Sequence, residues 1–205
     1  MRYVKKIPET DKELSKYLIS QGWTKLKEPS NFLTATLLSV PFMLVNAIIF
    51  MIFAYNLYTP LQEFLNNDQG FSFTLRCNTY SLIMYVIAIY VFVIAHEFIH
   101  ACFIPNIFKS DKTCWGINIF AGFVCTTEKI KKGRAIVISI MPFILLSILL
   151  PLILNVFGWL NGYVLFLSLI NAFGSSVDFL NLCIVAVQVP NGSYIISNGF
   201  ETYYK

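Results

Sequence analysis

Residues 79–104 read TYSLIMYVIAIYVFVIAHEFIHACFI, an apolar run with no Lys, Arg, Gly or Pro and a single acid, Glu97. A hydrocarbon core about 30 Å thick takes roughly 18–20 apolar residues of helix to cross, and this run exceeds that length. Three further stretches, Leu33–Tyr58, Ala135–Phe157 and Tyr163–Val189, also lack Lys and Arg, and together they hold one more acid, Asp178. The bulk composition agrees: 57% of the 205 residues are apolar and 13% are charged, against about 25% charged in soluble domains. The expected fold class is an all-α membrane protein with about four transmembrane helices and short cytoplasmic β-hairpins. A soluble enzyme, a secreted disulfide scaffold and a nucleic-acid-binding domain are excluded as first readings.

The cations set the orientation. Seven precede the first span, one lies in 59–78, six in 105–134, none in 158–162 and one in the tail. Alternate segments thus carry nearly all of the positive charge, the pattern of a multi-pass cell-membrane protein with cytoplasmic N- and C-termini. The first apolar run is too long for a signal-peptide core and is expected to remain as a span.

Three regions are expected. Residues 1–31 form a cytoplasmic segment with a short amphipathic helix, capped at Thr10 with Glu13 as the box partner and stopped at Gly22. That helix lies either on the membrane surface or on the protein's own cytoplasmic face. Residues 32–189 form the four-helix membrane domain, and 190–205 form a tail that can fold as a hairpin turning at Asn198-Gly199. Residues 114–120 and 123–128 read as another hairpin about a turn at Ala121-Gly122, and 71–76 alternate like an edge strand. The short link 158–162 predicts that the third and fourth spans are antiparallel neighbours. The five cysteines show no CxxC spacing, and Cys114 and Cys125, on the cytoplasmic side, are expected as reduced thiols.

The chemistry concentrates in His96-Glu97-Phe98-Ile99-His100, which contains the only two histidines of the chain. A spacing of four puts both imidazoles on one helix face, where one Zn²⁺ can take both nitrogens. Glu97, at the cavity edge, is placed to accept a proton from an attacking water rather than to ligate. Two randomly placed histidines fall four apart with a Glu after the first on the order of 3 times in 10,000. The competing reading is a hydrogen-bonded pair of core histidines.

An ionisable group at the centre of a span costs on the order of 2.5–3.5 kcal/mol, so Glu97 and Asp178 call for partners. Both lie at similar depth from the cytoplasmic ends of their helices. Zn²⁺ with two neutral imidazoles and two carboxylates sums to zero charge, which relieves that cost. Asp178 reads as the third ligand, or else as a packing acid bonded to a neighbouring helix. Asn171, two turns earlier, is a candidate donor to a substrate carbonyl or oxyanion, or an interhelical hydrogen-bonding group.

These residues, with Met141-Pro142-Phe143, the Asn171…Asp178 span and the Val189-Pro190-Asn191-Gly192 exit, resemble a family of small bacterial membrane proteins described as "putative zincin peptidase". The likeness runs from about residue 30. More distantly the chain is similar to the site-2 protease class, whose zinc is held by HExxH and an aspartate from a later span. The resemblance implies His96, His100 and Asp178 as zinc ligands and Glu97 as the general base. It departs from that class in lacking a proline and an Asp-Gly around the third ligand.

The expectation is a membrane-embedded zinc metallopeptidase whose active site lies nearer the cytoplasmic leaflet. It would act on a peptide or membrane-protein substrate with the lipid bilayer as its other partner and no nucleic acid, and its oligomeric state is left open. A non-enzymatic membrane protein that binds metal or conducts ions or protons through the same residues is the alternative.

Overall fold

The computed structural model describes residues 2–66, 78–107, 112–117 and 122–205. The expected edge strand at 71–76, Cys77 and the residues joining the strands of the first hairpin lie outside them. Among the described residues, four helical segments are long and apolar enough to cross a membrane: Phe32–Leu57, Thr79–Phe103, Lys132–Val156 and Gly162–Gln188. The first is α2, begun by the Asn31 side chain accepting from Thr34 N–H, and α3 (Thr59–Asn66) follows it. The second is α4, capped by Asn78 and Ser81, which exchange side-chain and backbone hydrogen bonds.

The third segment is less regular than its composition suggests. It runs as α5 (Lys132–Pro142), a π-helical stretch over Phe143–Leu149, and α6 (Leu150–Val156). Pro142 and Pro151 bracket the π stretch, and each lacks the backbone N–H that an α-helical ladder requires. The fourth segment is α7 (Gly162–Gly174) followed by α8 (Ser176–Gln188), interrupted only at Ser175, whose hydroxyl donates back to the carbonyl of Asn171. α5 packs on α8 while the π stretch and α6 pack on α7, the antiparallel pairing expected from the short link.

α2 closes the bundle against α7 and α8. Phe50 and Ala54 bury against Phe143, Leu165 and Ala172, and the Asn46 amide donates to the carbonyl of Ala172 at 3.2 Å. The outward faces are apolar instead of charged. Leu33, Ile52, Tyr80 and Val187 are exposed, far more apolar surface than a water-soluble monomer presents.

Among the described residues, two small sheets gather at one end of the bundle. In the first, β1 (Arg2–Tyr3) pairs parallel to β3 (Thr113–Ile117), which pairs antiparallel to β4 (Gly122–Thr126). In the second, the order is β2 (Thr24–Lys25), β7 (Glu201–Tyr204), β6 (Tyr194–Asn198), β5 (Ile130–Lys131). The N-terminal segment, the α4–α5 connection and the tail therefore share one end.

Several local expectations shift. Helix α1 (Lys12–Ser20) is capped by Asp11, not Thr10: the Asp11 carboxylate accepts from Glu13 and Leu14 N–H, and Thr10 instead accepts from Phe200 N–H. Gly22 does end the helix region, with φ 79°. α1 takes the second of its two expected positions, on the protein's own sheet: Leu18 is buried and Asn198 bonds to Asp11 and Ser15. The tail hairpin forms with Asn198 opposite Glu201, so the loop proper is Gly199-Phe200. Gly199 has φ 63°, and a Cβ there would press on the backbone of Thr10. Gly122 lies in β4 and not in the turn. Cys114 stands directly opposite Cys125 and pairs with it as a disulfide, Cα–Cα 5.3 Å, in place of the reduced thiols expected, because the antiparallel register puts the two Cα atoms within bridging range.

The N-terminal segment is tied to the tail by charge. Glu201 accepts from Lys25 Nζ at 2.6 Å, from the Tyr203 hydroxyl at 2.6 Å and from the Ser15 hydroxyl at 2.8 Å, and these hold its carboxyl down at about 2. A depressed carboxyl stabilises the fold above its ordinary value near 4.5 and loses that contribution as pH falls through about 2. Glu28, pushed up by burial, titrates in the opposite sense. The tie between β2 and β7 is therefore expected to loosen between about pH 4.5 and 2, modestly, because Lys25 is half-exposed. The emission of Trp23, whose ring lies 5.2 Å from Lys129 Nζ, reports it, and Glu201→Gln should flatten the response over that range.

Candidate metal centre

α4 carries His96 and His100 on the face turned to α5 and α7, one helical turn apart as their spacing dictates. His96 is seven residues before the end of α4 and Asp178 ten before the end of α8, or about 10 Å and 15 Å along their axes. Because both helices run toward the sheet end, these depths bring the groups together. His96 Nε2 is 3.2 Å from Asp178 Oδ2, His100 Nε2 is 3.3 Å from Asp178 Oδ1, and the two Nε2 atoms are 3.1 Å apart. The three side chains are only 11–18% exposed.

The opposite edges of the rings decide what these atoms are. His100 Nδ1 is 2.8 Å from the carbonyl of Ile138, which can only accept, so Nδ1 carries the hydrogen. His96 Nδ1 is 2.9 Å from Asn171 Oδ1. The Asn171 amide is oriented by its own donors, since Nδ2 donates to the carbonyl of Pro142 at 3.1 Å and to Ser147 Oγ at 2.9 Å. Ser147 in turn donates to the carbonyl of Ser168 at 2.8 Å. Flipping the amide would set oxygen against oxygen, so His96 Nδ1 is also a donor. In the neutral imidazoles both Nε2 lone pairs then converge on a carboxylate, three acceptors with no hydrogen among them. A divalent cation resolves that repulsion.

The geometry fits zinc. Tetrahedral coordination at about 2.0–2.1 Å separates donor atoms by roughly 3.3 Å, and the three separations here are 3.1–3.3 Å. His96, His100 and Asp178 can hold one metal ion, with each imidazole oriented by an outer partner as metal-binding histidines generally are. Asn171, weighed as a donor to substrate or as an interhelical hydrogen-bonding group, has both amide hydrogens engaged inside the bundle.

Glu97 sits beside this cluster without joining it, and no hydrogen bond to its carboxylate is found among the described residues. Its side chain lies against Gly122 of β4: a Cβ at 122 would overlap Glu97 Cγ and stand 3.2 Å from Oε1. The glycine is what lets the strand approach the carboxylate. Gly122→Ala is expected to displace Glu97, slowing any reaction that this carboxylate serves about 100-fold while leaving bound metal unchanged, since a shift of about 1 Å has that cost. Metal content measured beside reaction rate checks it.

A family model described as "putative zincin peptidase" matches residues 89–194. The chain belongs to this family. The match covers His96, Glu97, His100, Asn171 and Asp178, and it begins within α4, later than the onset near residue 30 that the resemblance implied. Zincin chemistry implies zinc, which agrees with the donor set. No curated protein and no solved structure matches the chain.

Sequence reasoning missed three parts of this zincin-family site. The Ile138 carbonyl is invisible in side-chain patterns. Ser147 lies in an apolar run with nothing to mark it. Gly122 was legible as a conformational signal but not as a close approach to a residue 25 positions earlier.

Proposed function

We propose that this chain is a membrane-embedded zinc metallopeptidase that hydrolyses a peptide bond in a peptide or membrane-protein substrate. The observation that carries the reading is the convergence of His96, His100 and Asp178 from two separate spans beside an uncoordinated Glu97. The apolar outer faces of the helices support a bilayer as surroundings. The cation distribution supports a multi-pass cell-membrane orientation with both termini in the cytoplasm. On this reading the site lies toward the cytoplasmic leaflet.

A zinc ion held by His96, His100 and Asp178 would supply a Lewis acid, able to polarise the scissile carbonyl and acidify the attacking water. Glu97 takes the proton from that water and returns it to the leaving amine, a general base and then a general acid. Asn171 and the Ile138 carbonyl keep the imidazoles in the ligating tautomer throughout. Among the described residues β4 pairs only with β3, and an extended substrate adding as a strand along its other edge is the binding mode proposed. The proposal takes Asp178, from a later helix, as the third ligand, the arrangement that the sequence resemblance to the site-2 protease class implies.

The test uses the purified chain in lipid vesicles with a library of membrane-spanning peptides, in water enriched in ¹⁸O. Expected are new amino termini and one ¹⁸O in each new carboxylate, lost on chelation and restored by zinc. No cleavage under zinc-replete conditions would overturn the peptidase reading.

A further inference from the structure

We infer that Pro142 is a positioning residue for the metal centre, reserving the Ile138 carbonyl for His100 by withholding the backbone N–H that would otherwise claim it. The inference rests on the reading of His96, His100 and Asp178 as ligands. In an α-helix the N–H of residue 142 donates to the carbonyl of residue 138. Proline has no such hydrogen. α5 ends at Pro142, the following Phe143 N–H turns to the carbonyl of Ile140, and the Ile138 carbonyl accepts His100 Nδ1 at 2.8 Å.

The same residue serves the other imidazole from its carbonyl side. Pro142 O accepts from Asn171 Nδ2 at 3.1 Å, which points Asn171 Oδ1 at His96 Nδ1, 2.9 Å away. Pro142 itself is fully buried. One proline thus fixes both rings, through the donor it lacks and the acceptor it keeps.

The test compares alanine with lactate, its α-hydroxy analogue, at position 142 of the full chain. Lactate has the alanine side chain but, like proline, no N–H. Zinc affinity is read by chelator competition, and exchange of the His100 Hδ1 proton is read by NMR with and without zinc. Pro142→Ala should weaken zinc binding about 10–100-fold and speed Hδ1 exchange at least about tenfold, and lactate should return both to within about threefold of wild type. Alanine behaving as wild type, or lactate behaving as alanine, would overturn the proposal. The Hδ1 readout does not need bound metal. A wild-type chain that took up no zinc would therefore sink the ligand reading, while proton exchange still judged Pro142.

Discussion

Asp178→Ala is expected to weaken zinc binding by at least about 100-fold while the four-helix bundle stays assembled. The lower bound comes from outer-sphere losses at metal sites, which alone cost about 10–100-fold, and Asp178 is placed as a ligand. The bundle should survive because, among the described residues, Asp178 bonds only to His96 and His100 and contributes nothing to the Phe50–Ala172 core. Removing it also leaves the +2 charge of the ion compensated only by Glu97. Equilibrium dialysis beside helical circular dichroism separates metal loss from unfolding. Retained affinity would make Asp178 a packing acid, the alternative that its place in the sequence left open.

Glu97→Gln is expected to do the reverse, holding zinc with near wild-type affinity and losing about 10²–10⁴-fold in turnover. A glutamine fills the same space against Gly122 but cannot accept a proton, and general-base catalysis accounts for rate factors of that size. Zinc content and rate of peptide cleavage in one preparation check it. If Glu97→Gln left function intact, the non-enzymatic reading, metal binding or ion passage through the same residues, would take its place.

How much of this was legible follows from how local each signal is. The four long apolar helices were readable because a helix able to cross lipid must be a continuous apolar run, and nothing else in the sequence mimics one. The histidine pair was readable because helical geometry converts a spacing of four into a shared face. Asp178 emerged by elimination, as the only other acid within a span. The misreadings involve groups whose partners lie far away in sequence. Thr10 looked like the cap of α1, yet its hydroxyl serves Phe200, and Asp11 takes the helix end. Gly122 looked like a turn residue and is a strand residue pressed on Glu97. The π stretch follows from two prolines whose missing donors are visible in sequence, but the groups that use the freed carbonyls come from α4 and α7.

The central claim is that one zinc ion sits between the imidazoles of His96 and His100 and the carboxylate of Asp178. Zinc-edge X-ray absorption on the purified chain, loaded with one equivalent of zinc, addresses it directly. The predicted spectrum has two imidazole shells at about 2.0–2.1 Å with oxygen completing the coordination, and it changes in Asp178→Ala. A sulfur shell at about 2.3 Å, or a spectrum identical in wild type and Asp178→Ala, would contradict the account.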